Sequence, residues 1–334
     1  MSRRAVSRRV FLRELASAGA AASLGGCASV PSASVIFPEA SAIAERPMLL
    51  VATTRKPTNG ARAKPWYGPE RNPTLTTARA MLKPPETSTF SLASVGLSDW
   101  SIDRVEPAQV RIGALLAESS NGRDLLIFVH GFNHTFESAA LDAARLSDGI
   151  RFRGETLAFC WPSKAGLFDY VYDRESAMWS RDAFESVLDT AIMGSENNRV
   201  HIVAHSMGTM LALESLRQLY AHRGDAMLER TGAVIFAAPD IDMDVFTSSI
   251  QRIGPLAGKI TIITAANDRA LALSRRLAGG VARVGAAEKA RLEKLGLRVI
   301  DASEKGWGLI NHDLFLTNKE VRQVVRRAIA GDEV

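Results

Sequence analysis

Val200-His201-Ile202-Val203-Ala204-His205-Ser206-Met207-Gly208 is the stretch whose reading decides the fold. An apolar, strand-like run closes on a serine with small residues two positions to either side, Ala204 and Gly208. A helical pattern begins at once, with Met210, Leu211, Leu213, Leu216 and Leu219 recurring at the spacing of a core-facing helix. A strand–turn–helix corner of this kind holds its serine in a strained turn, so the flanking positions must be small to clear the neighbouring strand and helix. Ala204 replaces the usual glycine and adds one methyl. The layout is that of a nucleophile elbow, with Ser206 as candidate nucleophile. A core strand whose serine caps the next helix is the plainer alternative.

Outward from that corner the chain alternates. Strand-like runs fall at 125–130, 156–161, 199–205, 232–238, 259–265 and 297–301, after an earlier one beginning Met48-Leu49-Leu50-Val51-Ala52-Thr53. Helical patterns lie between them, near 135–148, 173–192, 207–222, 242–252, 269–277 and 318–330. Alternating β and α predicts an α/β fold, a mostly parallel sheet with helices on both faces. Residues 55–88, rich in Pro, Arg, Asn and Thr, read as a long irregular segment. There is no internal repeat, and 46% apolar residues over 334 positions suit one large core.

In open parallel sheets the active groups gather beyond the carboxyl ends of the strands. The run at 125–129 leads into His130-Gly131-Phe132-Asn133, where Gly131 permits a tight turn. The backbone N–H groups of Phe132 and Met207 are the candidate oxyanion hole. Acid and base are expected after the nucleophile in chain order. Asp268, in Ala266-Asn267-Asp268-Arg269, follows the strand at 259–265 and is the expected acid, although an aspartate there also suits a helix N-cap. Asp240, in Pro239-Asp240-Ile241-Asp242, is the alternative acid; otherwise it braces the elbow or lines the pocket. Of the six histidines, His312 stands in a Gly-rich loop after the last strand and before the final helix, where the base is expected.

These stretches, together with Trp161-Pro162-Ser163, Ala237-Ala238 and Asn311-His312-Asp313, resemble a bacterial α/β-hydrolase family of unknown function within the esterase/lipase superfamily. The resemblance runs from about residue 46 to 330 and implies an α/β-hydrolase fold with a serine-hydrolase mechanism. It does not imply a substrate, because fold kinship leaves function to the site.

The N-terminal residues carry a different message. Ser7-Arg8-Arg9-Val10-Phe11-Leu12-Arg13 resembles a twin-arginine export signal, and 15–26 forms an apolar, alanine-rich stretch too short to span a bilayer. Leu24-Gly25-Gly26-Cys27 resembles a lipobox, with Cys27 as the lipidation site; Ser29 points by resemblance to the outer membrane. The expected organisation is a signal peptide at 1–26, a Ser/Ala/Pro-rich tether at 27–45 and an α/β-hydrolase domain at 46–334. Residues 1–26 hold five arginines and one glutamate, so +4 of the formal +5 charge belongs to them and +1 to the rest. A basic total therefore gives no support to nucleic-acid binding.

Cys160 reads as a small core residue without a disulfide partner. No phosphate-binding loop, dinucleotide fingerprint or zinc spacing occurs, so neither a cofactor nor a metal is expected. The expected partners are a small-molecule or lipid ester and a membrane reached through the lipid anchor. The aromatic stretch around Phe168, Tyr170, Tyr172 and Trp179 reads equally as a lid over an acyl pocket or as a loop packed on the core. A carboxylic ester is the expected substrate. The same machinery also serves amides, peptides and thioesters, and a non-catalytic envelope scaffold on this fold is the reading of a different class.

Overall fold

Branched and small apolar runs too short to fold alone assemble one sheet. A computed structural model of the chain describes residues 40–85, 99–119, 122–166, 168–194, 199–265, 267–277, 280–304 and 313–332. Its strands are β1 (Met48–Pro57), β2 (Tyr67–Lys83), β3 (Ser101–Pro107), β4 (Leu125–Val129), β5 (Glu155–Cys160), β6 (Val200–His205), β7 (Thr231–Ala237), β8 (Ile260–Thr264) and β9 (Arg298–Asp301). They form a single sheet in the order β3-β2-β1-β5-β4-β6-β7-β8-β9. Only β2 runs against its neighbours.

The helices are α1 (Ala42–Glu45), α2 (Ile112–Ser119), α3 (Phe136–Gly149), α4 (Tyr170–Trp179), α5 (Arg181–Met193), α6 (Gly208–Arg223), α7 (Met243–Ile250), α8 (Arg269–Leu277), α9 (Lys289–Glu293), α10 (Leu314–Thr317) and α11 (Lys319–Ala330). Every residue of β4, β5 and β6 is buried, as expected of parallel strands covered on both faces. One core layer joins these strands to Leu115, Phe184, Leu211 and Phe246 from α2, α5, α6 and α7. The other joins them to Ile43, Phe136, Phe315 and Val325 from α1, α3, α10 and α11. The parallel register between β4 and β6, from Leu125 opposite Val200 to Val129 opposite Ala204, brings their carboxyl ends level.

Three expectations are corrected. Residues 55–88 are not irregular throughout: Tyr67–Lys83 is a 17-residue strand pairing with β1 and β3. Pro69 and Pro73 mask it in the sequence, while Thr77, Ala78, Ala80 and Leu82 turn inward from its second half. The single helix expected over 173–192 is two, α4 and α5, meeting at Ser180, whose hydroxyl lies 2.9 Å from that of Thr54 on β1 and donates to the Ser176 carbonyl. The last residues assigned to the tether belong to the domain, because Ser41 donates to Asp148 and Ile43 is buried. The expected signal peptide and Cys27 lie outside the described residues. Among the described residues no helix is long and apolar enough to cross a membrane.

The packing of α6 on β4 is tight at one glycine. A Cβ placed on Gly208 would stand 2.2 Å from the His130 carbonyl oxygen and 2.9 Å from that of Val129. Gly208→Ala is therefore expected to push α6 off the sheet and cost about 1–3 kcal/mol, read as a lowered midpoint in urea unfolding.

Candidate active site

Ser206 is the first residue after β6, and its backbone adopts φ +49°, a left-handed conformation unusual for a residue with a Cβ. Its N–H donates to the Ala237 carbonyl at the end of β7. Its carbonyl accepts from the Thr209 N–H, the Thr209 hydroxyl and the Asp240 N–H at 3.1, 2.6 and 3.2 Å. The strained turn is thus held by hydrogen bonds on both sides, as a nucleophile elbow requires. Asn133, Ala165 and Ala238 are also left-handed, at φ +63°, +57° and +46°, so β4, β5, β6 and β7 are each followed by one such non-glycine residue. Backbone strain concentrates at this end of the sheet.

The turn after β4 lies directly on the serine. A Cβ on Gly131 would come within 3.0 Å of both Ser206 Cβ and His205 Nδ1, so only glycine fits without displacing the elbow. The next amide is that of Phe132. Among the described residues neither the Phe132 nor the Met207 backbone N–H meets an acceptor. His130 and Trp161 support the turn from below: their rings stack at 4.6 Å, and the Trp161 indole donates to the His130 carbonyl. The His130 nitrogens lie 2.9 and 3.1 Å from the Gly131 and Trp161 carbonyl oxygens. Complete burial pushes its pKa well below the usual histidine value, while the two carbonyl contacts oppose the fall.

The two candidate acids have different surroundings. Asp268 is buried four residues beyond β8, and its Oδ1 accepts from the Ala270 and Leu271 N–H groups at the start of α8. Asp240 is enclosed. Its Oδ1 accepts from the Ser274 hydroxyl and lies 3.1 Å from Arg283 Nε, in an ion pair not aligned as a hydrogen bond. Its Oδ2 accepts from the Tyr170 hydroxyl. Both carboxylate oxygens are therefore engaged inside the protein, and the Asp240 N–H donates to the elbow carbonyl.

His312 lies outside the described residues. Its chain neighbour Asp313 does not: Asp313 Oδ1 is 3.6 Å from His205 Nε2, and the Phe315 ring sits 4.8 Å from the His205 ring. The segment following residue 312 is therefore packed against the carboxyl end of β6.

Two buried polar residues at this end were not recognised in the sequence. Arg55, near the end of β1, is 1% exposed and donates to the carbonyls of Gly68, Ser163 and His134. Desolvation pulls its pKa down to about 10, so the guanidinium stays charged. Asp173 on α4 is fully buried and accepts from the Ser163 hydroxyl and from the Lys164 and Asn133 N–H groups. Desolvation raises its pKa, while the Ser163, Lys164 and Asn133 hydrogen bonds and the Arg55 charge oppose the rise. Together these residues hold the backbone just after the Phe132 amide, at Asn133 and His134, and tie it to Ser163. In the sequence Arg55 stands beside Lys56 at the polar end of a strand-like run, so nothing local marks it as buried.

The aromatic stretch is fastened rather than hinged. Tyr170 is bound to Asp240, the Tyr172 hydroxyl donates to the Pro69 carbonyl, and Arg71 lies over the rings of Tyr172 and Trp179. Among its described aromatic and apolar residues Phe168 and Val171 are the most exposed, at 101% and 73%, with Trp179 at 39%. Cys160 is buried, and its thiol is pushed up to about 12 by desolvation, which suits the core residue expected. Among the described residues no group of His, Cys, Asp and Glu is arranged to hold a metal.

Residues 107–328 match the family model described as alpha/beta hydrolase of unknown function (DUF900). The chain belongs to this family. Among solved structures it is similar to Est1E from Butyrivibrio proteoclasticus, at 13% identity and a TM-score of 0.40, over 76% of this chain and 96% of that one. It is also similar to a cutinase-like protein from Cryptococcus sp., at 13% identity and a TM-score of 0.37, over 64% and 97%. A third is an esterase from Pyrobaculum calidifontis, at 12% identity and a TM-score of 0.33, over 77% and 80%. No curated protein matches the chain.

Removing the Arg55 charge strips donors from three buried carbonyls and leaves Asp173 without its cation. Arg55→Met is expected to lose roughly 3–5 kcal/mol of stability in urea unfolding. Arg55→Lys, which keeps the charge but not the fork, is expected to recover part of that loss.

Proposed function

We propose that this protein is a serine hydrolase whose most favoured substrate class is a carboxylic ester. The observation that carries the reading is the left-handed Ser206 at the end of β6, with the Gly131 turn packed against its Cβ. In this reading Ser206 Oγ attacks the ester carbonyl while His312 takes its proton. The N–H groups of Phe132 and Met207 receive the developing oxyanion. Collapse of the tetrahedral adduct expels the alcohol, which takes the proton from His312, and leaves an acyl group on Ser206. Water, deprotonated by His312, then releases the acid and restores the serine.

Asp268 is assigned the acid role, orienting His312 and stabilising its imidazolium. Supporting this choice, both carboxylate oxygens of Asp240 are occupied by Tyr170, Ser274 and Arg283. The assignment of His312 is supported by chain order and by Asp313, one residue on, lying beside His205. The reaction needs no metal or cofactor. For location, we propose twin-arginine export followed by acylation of Cys27, which would hold the domain on the periplasmic side of the outer membrane.

A fluorophosphonate probe tests the nucleophile: the wild type is expected to be labelled and Ser206→Ala not. Absence of labelling in both would instead favour a non-catalytic scaffold. With p-nitrophenyl esters, Ser206→Ala is expected to lower kcat by on the order of 10⁶-fold. Asp268→Asn is expected to lower kcat by about 10⁴-fold with KM little changed. Asp240→Asn should act chiefly through stability; if it alone abolishes turnover in a folded protein, the acid has been misassigned.

A further inference from the structure

The opposite end of the sheet carries a feature that hydrolysis does not use. Where β4, β5 and β6 begin, a cavity of about 580 Å³ is rimmed by Arg123, Arg151, Arg153, Arg199 and Arg326. All five arginines are exposed. Its floor includes the buried side chains of Ile150, Phe152 and Ile329. Asp124 is the one acidic residue in the lining and is shared with Arg199 at 3.4 Å, while Arg153 pairs with Glu45 at 3.1 Å. Among the described residues Arg123, Arg151 and Arg326 have no carboxylate partner within ion-pair distance. The chain beyond the leader is almost neutral, so this is a local concentration of charge and not a share of a general surplus.

The chain also enters the domain here. The Ala40 carbonyl accepts from Arg153, and the Ala42 N–H donates to the Phe152 carbonyl. Twelve residues lie between Cys27 and Ala40, and fully extended the connection spans at most about 45 Å. A lipid on Cys27 would keep this rim within that distance of the bilayer and so raise its effective concentration there. The guanidinium groups of the rim match the phosphates of anionic phospholipid headgroups.

We propose that this arginine-rimmed cavity docks the domain on an anionic phospholipid surface. The carboxyl end of β6 is roughly 20 Å away along the strand, on the far side of the sheet. Docking would therefore turn Ser206 away from the bilayer that holds the protein. Resting on the Ser206 reading above, this makes the substrate an ester reached from the aqueous side, not a lipid of the anchoring membrane.

The test is arginine footprinting of the full chain with phenylglyoxal, read residue by residue by mass spectrometry. Vesicles of phosphatidylglycerol are compared with vesicles of phosphatidylcholine and with inorganic phosphate alone. Phosphatidylglycerol is expected to lower the reactivity of Arg123, Arg151 and Arg326 several-fold, with the protection lost at high salt. Arg275 and Arg276, on the flank near Asp268, should react unchanged. Equal reactivity on both vesicles, or protection centred on Arg275 and Arg276, overturns the proposal. Equal protection by inorganic phosphate alone also overturns it, making the cavity a free-anion site. Fluorophosphonate labelling of vesicle-bound protein should match that of free protein. Labelling lost only on vesicles overturns the orientation, whereas none in either state refutes the Ser206 reading and leaves the footprint standing.

Discussion

The structure depends on how closely helix α6 is forced against the end of strand β4. With parallel strands in level register, the chain must leave β6 and start α6 beside the backbone of His130. A Cβ on Gly208 would stand only 2.2 Å from the His130 carbonyl oxygen, so little room remains. A turn this abrupt is available only through left-handed backbone, which is why Ser206 sits at φ +49°. The same compression puts Gly131 against the serine. The strained serine and the glycine turn beside it are consequences of one steric arrangement.

Buried charge holds that arrangement. Arg55 and Arg283 are both almost fully enclosed at the carboxyl end of the sheet, and each joins segments distant in sequence. Arg55 works through backbone carbonyls beside the Phe132 turn. Arg283 works through Asp240, whose backbone N–H also secures the elbow carbonyl. Removing a charge from water is expensive, and the cost is offset here only in part, because among the described residues Arg55 Nε and Arg283 Nε are buried without a hydrogen-bond partner. At the amino end of the sheet the arginines are exposed and partly unpaired, a surface suited to binding rather than bracing.

The sequence made the central architecture legible because parallel strands buried on both faces must be continuously apolar. The runs at β4 through β8 stand out for that reason, and these strands and the half-exposed edge strand β9 lie within a residue or so of their predicted positions. β2 escaped because its prolines and small alanines carry little hydrophobic signal, and its pairing with β1 and β3 is a long-range event. α4 and α5 were read as one helix because periodicity continues across Ser180, while the break is made by contacts with Thr54 and Ser176.

By itself the sequence determined the α/β class, the elbow around Ser206 and the order in which candidate acid and base follow it. Those rest on local properties: burial period, small residues at a tight corner and position along the chain. Only the tertiary structure decided that Asp240 is enclosed by Tyr170, Ser274 and Arg283 while Asp268 caps α8. It also decided that Arg55 and Asp173 support the turn beside Ser206, and that five arginines from four separate segments share one cavity. These depend on which side chains meet across the sheet, and a one-dimensional pattern carries no distance between residues a hundred positions apart.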